Sequence, residues 1–597
     1  MALEIVHRVR IKSPATQLVR VETTIVSDDP LPSALVVSMP VWTPGSYLVR
    51  EYARHVESFA VAPPALFRKV RKNAWRIEPG PSTALVFSYS VYAGELTVRT
   101  NHVDETHAFL VGAALFMAVE GHEQLGALLE IEVASGWRAA TALAVLGCEA
   151  LPDSILHRFR TPDFDTLVDS PILLGAITMA PFQVFGVPHR YAIWPRDAVG
   201  DAQMDRLVAD TQLLIEYEAT LFGGNLPYES YELLLAVSPR GRGGLEHRSS
   251  SALIVPATSF SSRDGYLDLL SLVAHEVFHA WNVKRIRPEG LTPYRYEVEC
   301  YTRLLWWFEG ATSYYDWRVL VLTGRASVEE YLDHLASELA YLEQTPGRRV
   351  ISLETASFDA WIKLYRPDEN TLNSSVSYYR KGELVCALLD LELRARSDGR
   401  ATLDQVVGHL WREYGLRERP VPEDGMLAIF EEATGLSLAD LFEAWIRSPA
   451  EIDVAEPLAT VGLAVERSRR EDDGHGMLGL RVRSDGGRCV VSAVLRDGAA
   501  FATGIAFGDE LIAIAGARID GSVGVDSVLR GRAPNETVEI VCSRDGRVSG
   551  RRVTLGPPQP HRTRLIAKPD APPAARRALA AWLGRTHPAW VPGASGK

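Results

Sequence analysis

From residue 1 to about 180, apolar and polar positions alternate in short runs broken by proline and glycine. Leu35-Val36-Val37-Ser38-Met39, Ala84-Leu85-Val86-Phe87-Ser88-Tyr89 and Leu129-Glu130-Ile131-Glu132-Val133 are examples. Alternation with period two predicts half-buried strands, and many short strands between turn signals predict a β-sandwich. Near residue 200 the period changes. Met204, Leu207, Val208, Thr211, Leu214 and Tyr217 recur at helical spacing between Ala202 and Phe222, and Gly223-Gly224-Asn225 stops the run. The pattern then predicts strands over Tyr231 to Val237 and Ala252 to Val255, and helices from about Tyr266 to Val283 and Arg303 to Leu322. Residues 327 to 448 are almost wholly helix-patterned, with Leu384 to Leu393, Leu403 to Tyr414 and Leu438 to Trp445 the clearest stretches. Glu451 to Pro457 reads as a linker. Short strands with Gly and Asp turns return from about Val461 to Leu555, and a short helical stretch near Ala574 to Leu583 lies in the Pro-, Ala- and Arg-rich tail.

This organisation predicts a multidomain chain: a β-sandwich over 1–180, an α/β-to-α domain over 181–450, a β-rich module over 458–556 and a tail over 557–597. A length of 597 residues is too great for one hydrophobic core. A formal net charge of -12 argues against nucleic acid as partner, because a phosphate-binding surface needs a dense basic face. The longest basic run, Lys284-Arg285-Ile286-Arg287, is too short to form one. Cys148, Cys300, Cys386, Cys489 and Cys542 are odd in number and never in CxxC spacing, which is neither a disulfide framework nor a Cys-rich metal site. The N-terminus lacks the apolar region of a signal peptide, and no apolar run approaches the ~20 residues that span a bilayer. These features predict a cytoplasmic protein without a membrane anchor.

The strongest chemical signal is His275-Glu276-Val277-Phe278-His279. Residues four apart on a helix share a face, so both imidazoles can reach one ion. Glu276 lies beside that face, where a carboxylate can take a proton from water and pass it to a leaving amine. Zinc held by three protein groups keeps a fourth position for water. Leu269, Leu270, Leu272, Val273, Val277 and Phe278 mark the helix as buried, where two histidines and a glutamate are costly unless paired or metal-bound. Glu309, in the aromatic stretch Trp306-Trp307-Phe308-Glu309-Gly310, is the candidate third ligand. A buried salt bridge with Lys284 or Arg285 is the alternative for it. Asp268 and Asp316 are candidate partners for the histidines.

The run from His275 to Pro288 resembles the extended zinc signature of the glycyl aminopeptidases, relatives of the thermolysin-like and aminopeptidase N enzymes. Leu305-Trp306 through Glu309-Gly310 to Tyr314-Tyr315 is similar to that family's third-ligand block, and Pro40-Val41-Trp42-Thr43-Pro44-Gly45-Ser46-Tyr47 to a stretch of its N-terminal domain. The resemblance runs from about residue 5 to 555. It implies a thermolysin-like zinc peptidase domain over 181–450, one zinc ion per chain, and a preference for N-terminal glycine or alanine. Gly243-Gly244-Leu245-Glu246-His247 resembles the exopeptidase motif, in which an edge strand pairs with the substrate backbone and Glu246 binds the free α-amine. His247 stands where aminopeptidase N has asparagine. Tyr378-Tyr379-Arg380-Lys381-Gly382 resembles a Tyr-x-Lys-Gly motif that assigns Tyr379 to the oxyanion, with Tyr378 the near alternative. A phenol suits that task because it stays protonated at neutral pH.

The segments around Leu478-Gly479-Leu480, Val490 to Val494 and Gly504 to Ile514 resemble a PDZ domain, whose Leu478-Gly479-Leu480 turn would take a C-terminal carboxylate while the adjacent strand edge takes a peptide. Packing without a partner is the plainer reading. The residues and the resemblance together predict a zinc aminopeptidase acting on peptides with a free N-terminus. A zinc endopeptidase, or a peptide-binding scaffold with a silent metal site, is the alternative.

Overall fold

Alternation becomes pairing at once: in Leu3–Arg10 the residues Leu3, Ile5, His7 and Val9 turn inward, and the strand lies antiparallel to Leu18–Ser27 and parallel to Ala127–Ala134. They sit in a seven-stranded sheet ordered Ala144–Ala150, Ser154–Thr161, Ala127–Ala134, Leu3–Arg10, Leu18–Ser27, Ala84–Tyr92, Val56–Ala62. Two four-stranded sheets, containing Leu35–Ser38 and Ile172–Gly175, share one hydrophobic core with it. The computed structural model describes residues 3–239, 241–468, 476–520, 523–558 and 562–590. The chain forms two units, of which the first comprises Met1–Thr302, Tyr315–Arg325 and Val407–Met426.

In the first unit a five-stranded sheet follows the order Thr178–Val184, Val187–Trp194, Tyr231–Val237, Ser250–Val255, Gly243–Glu246. Its centre is parallel, and its two outer pairs are antiparallel. The central strand Tyr231–Val237 is buried at every position, as a strand covered on both faces requires. Gly243–Glu246 is the edge. The helix Arg263–Phe278 packs beside Asp201–Leu221 and against the strands Ser250–Val255 and Gly243–Glu246. Ser262 caps its first turn by accepting from the Gly265 N–H.

The second unit comprises Arg303–Tyr314, Ala326–Val406 and Leu427–Lys597. Its helices include Val328–Glu343, whose Ser327 and Glu330 form a capping box, and Arg380–Arg396. The expected linker is not one. Pro457 and Leu458 are buried in the helix Ala455–Thr460, and Glu451 is paired with Arg348 and Arg349. Leu463–Ser468 also lies outside the expected β-rich module's sheet, because it pairs antiparallel with Arg562–Ala567 beyond that module. Between these two strands runs a sheet ordered Leu480–Asp485, Arg488–Val494, Glu510–Ile514, Thr537–Arg544, Arg547–Thr554, with its own core of Leu478, Val491, Ile514, Ile540 and neighbours. The helix Pro573–Leu583 buries Trp582 completely against Tyr331. Among the described residues no helix is long and apolar enough to cross a membrane.

Candidate active site

The helix Arg263–Phe278 ends earlier than its apolar pattern predicts, and His279 is its C-cap rather than an interior residue. The His279 N–H still donates to the His275 carbonyl, so the four-residue spacing holds, and the two rings stand edge to face with centroids 4.7 Å apart. Each imidazole is oriented through Nδ1. That of His275 donates to Asp316 Oδ2 at 2.9 Å, and that of His279 donates to the Asn282 carbonyl at 2.7 Å. In both rings Nε2 is thus the nitrogen that could hold a metal ion. The early helix end explains the second contact: the chain folds back after His279, with Val283 at φ 128°, and this brings the Asn282 carbonyl under the ring. Of the two candidate partners, Asp316 is in place. Asp268 is not, because its carboxylate pairs with Arg242 at 2.6 Å.

Glu276 is buried, and its carboxylate rests against the backbone of Gly244, where a Cβ would lie 2.0 Å from Oε1. Glu246 is also buried, and its carboxylate rests on Gly45, where a Cβ would lie 2.3 Å from Oε2. Gly45 has φ +85°, within the turn closed by the Thr43–Ser46 bridge. Both glycines are therefore dictated by close approach. Glu246, Glu276 and His279 bring ligand-type atoms within 4.8 Å of one another. The end of the edge strand is tied down by Asp169. Its Oδ1 accepts from His247 Nδ1 at 3.2 Å and from Lys284 Nζ at 2.9 Å, and its Oδ2 accepts from the Arg248 N–H at 2.7 Å. Burial opposes ionisation, yet the Lys284 ammonium and His247 hold the Asp169 carboxyl well below the usual carboxylate range. Through Nδ1, His247 thus makes a structural contact with Asp169.

Two residues here had no sequence signal. Asp169 lies 78 positions from His247. Glu218, on Asp201–Leu221, is fully buried, and neither carboxyl oxygen has a hydrogen-bond partner among the described residues. Burial, then the nearby Asp316 charge, push its carboxyl well above the usual range despite His275.

In the second unit Glu309 is the C-cap of Leu305–Phe308, where the expected single helix breaks in two, and it is buried among Trp306, Trp307 and Phe308. In the first unit the two cations suggested as its alternative partners have contacts of their own: Lys284 pairs with Asp169, and Arg285 donates to the Arg248 and Ala280 carbonyls. Tyr379 precedes Arg380–Arg396, with its ring stacked on Tyr378 and its hydroxyl 3.4 Å from that of Tyr365. Burial and then the Glu309 charge raise the Tyr379 phenol well above its ordinary value, which keeps its proton available for donation. Gly310 and Gly382 make this arrangement possible: a Cβ on Gly310 would lie 2.6 Å from the Gly382 Cα. Gly479, between Leu478 and Leu480, has φ +70° and packs against Gly498, and Leu480–Asp485 is the open edge of its sheet.

Family models match in three segments: the M61 glycyl aminopeptidase over residues 268–385, the Peptidase M61 N-terminal domain over 7–176 and the PDZ domain over 476–555. The chain is thus similar to the M61 glycyl aminopeptidases in its N-terminal domain and its catalytic segment. It is therefore a metallo-aminopeptidase with a β-rich N-terminal region, a helical catalytic region and a C-terminal PDZ region. The chain is similar to an aminopeptidase N family protein from Idiomarina loihiensis at 28% identity, with a TM-score of 0.88, over 97% of this chain and 100% of that one. An M1 zinc metallopeptidase from Deinococcus radiodurans aligns at 14% identity and TM-score 0.48, over 76% of this chain and 96% of its own. A variant of that enzyme bound to a Tyr-Ser-Ala substrate aligns at 15% and 0.48, over the same shares. No curated protein matches.

Proposed function

We propose that this metallo-aminopeptidase is zinc-dependent and removes N-terminal residues, glycine or alanine by preference, from peptides with a free amine. In this reading one zinc ion is held by His275, His279 and Glu309. Two imidazoles presenting Nε2 and one buried carboxylate are a donor set that suits zinc and leaves a coordination position for chemistry. The ion supplies Lewis acidity that polarises a carbonyl and makes water more acidic.

The chain's own groups do the rest. Glu246 pairs with the substrate ammonium, which sets the distance from the N-terminus to the bond that is cut. Gly243 and Gly244 present the backbone edge along which the peptide lies. Glu276 takes the proton of the attacking water and returns it to the leaving amine. Tyr379 donates a hydrogen bond to the oxyanion as the carbonyl becomes tetrahedral. In the PDZ region the Leu478-Gly479-Leu480 turn and the Leu480–Asp485 edge take a peptide C-terminus. A cytoplasmic location belongs to the proposal and rests on five cysteines without disulfide spacing.

One observation carries the reading: two imidazoles oriented by Asp316 and the Asn282 carbonyl, beside a Glu276 carboxylate packed on the strand that ends in Glu246. The test is hydrolysis of glycyl- and alanyl-p-nitroanilide by wild type and Glu276→Gln, with and without a chelator. Activity is expected in wild type only, abolished by chelation and restored by zinc. Equal rates in the two proteins remove Glu276 from the mechanism. Equal cleavage of an N-acetylated peptide and its free-amine twin makes the enzyme an endopeptidase.

A further inference from the structure

A cavity of about 810 Å³ in the first unit collects positive charge that nothing in the catalytic reading uses. Arg248, Lys284, Arg285, Arg287, Arg417 and Arg419 line it, against only Asp165, Glu229 and Glu418. In a chain of net charge -12 this is the reverse of the general balance. Two of the cations are neutralised, Lys284 by Asp169 at 2.9 Å and Arg417 by Glu413 at 3.0 Å. Arg248 reaches Glu418 only at 3.9 Å.

The other three guanidiniums form no ion pair among the described residues. Arg287 lies over the ring of Tyr294 and Arg419 over that of Tyr414. Arg285 spends Nη1 on structure, donating to the Arg248 and Ala280 carbonyls, and forms no ion pair with a carboxylate among the described residues. Burial, and next the like charge of Arg248, push the Arg285 guanidinium down to about 10. Folding therefore crowds several cations around a cavity and leaves Arg285 and Arg419 without an ion pair among the described residues, which costs free energy that a bound anion would recover. Forked guanidinium donors lining one cavity suit a planar or tetrahedral oxyanion.

We propose that this cavity binds a small, multiply charged oxyanion, a phosphate or a polycarboxylate, at a site separate from the peptide-hydrolysing groups. Arg285 and Arg419 supply its donors.

Inorganic phosphate, citrate and chloride, titrated into the zinc-loaded full chain at constant ionic strength, test this by thermal shift and by calorimetry. Phosphate or citrate should give a saturable rise in melting temperature and a saturable heat, while chloride gives neither; whichever of the two saturates at lower concentration identifies the source. Exposed Arg419 allows a variant whose folding is not at risk. Arg419→Gln should raise the half-saturating concentration about tenfold, the loss of one charge-assisted contact, and Arg285→Gln should do so at least as strongly. A response identical for phosphate, citrate and chloride overturns the proposal, as does an Arg419→Gln protein that binds as tightly as wild type.

Discussion

At Gly244 the edge strand runs so close to Glu276 that a methyl group would meet the carboxylate oxygen at 2.0 Å. No real Cβ tolerates that distance, so either the strand or the carboxylate must move. Gly244→Ala should therefore lower kcat by about 10²-fold or more, the cost of misplacing a reacting group by an ångström. Zinc content should be unchanged, because neither imidazole is touched; metal analysis beside steady-state kinetics checks both halves. Lys381 gives a second prediction at this scale. It is buried, its Nζ has no hydrogen-bond partner among the described residues, and burial pushes it down to about 8. The unfolded chain keeps a lysine of ordinary pKa near 10.4. Between these values the unfolded state binds more protons than the folded one, so stability rises with pH through that window and is lowest below pH 8. Lys381→Met should be more stable than wild type at pH 7.5, and the gap should narrow as pH approaches 10. Melting curves at a series of pH values read this directly, and a constant gap refutes it.

Among elements, the crossing of Gly310–Leu322 with Arg380–Arg396 brings Tyr379 beside Glu309. A Cβ on Gly382 would lie 2.8 Å from the Trp306 carbonyl and 2.9 Å from the Gly310 Cα. Gly382→Ala should cost about 1–3 kcal/mol by overpacking and reduce kcat more than KM, because it shifts Tyr379 rather than the amine clamp. An unchanged kcat would detach Tyr379 from the oxyanion. This crossing also indicates what the sequence could and could not disclose. The His275–His279 turn was legible because its geometry is local, and the strand Tyr231–Val237 because a buried strand is continuously apolar. The helix end after Phe278 was not, since Ala280-Trp281-Asn282-Val283 carries an apolar pattern that helix and turn share; the deciding contact, His279 to the Asn282 carbonyl, is invisible to periodicity. The break at Glu309 was missed for the same reason. Asp316 could be named only as one of two, and Gly45 only as part of a family motif, because the partner of each lies far along the chain.

At the scale of the molecule the C-terminal tail is part of the helical body, while the PDZ region is an insertion in it. Ser468 and Arg562 are paired partners in the antiparallel Leu463–Ser468 and Arg562–Ala567 strands. Everything between them can therefore be exchanged for a two-residue Asn-Gly hairpin turn, whose twist matches such a pair. Beyond the hairpin, Trp582 is fully buried, its Nε1 donating at 2.9 Å to the Tyr314 hydroxyl, which in turn donates at 2.6 Å to Asp390. Tyr314 stands five residues after Glu309 on the segment that the zinc reading makes a ligand. The two perturbations should thus behave oppositely. Replacing residues 469–561 by the turn should leave hydrolysis of glycyl-p-nitroanilide largely intact. Trp582→Ala, which changes no residue of the active segment but empties its anchor, should destabilise the fold by about 3–5 kcal/mol and release zinc on dialysis. Melting curves, metal content and activity of the two variants decide the matter: a Trp582→Ala protein that keeps its zinc and its rate would show the tail to be dispensable packing, and an inactive hairpin variant would make the PDZ region part of the catalytic body.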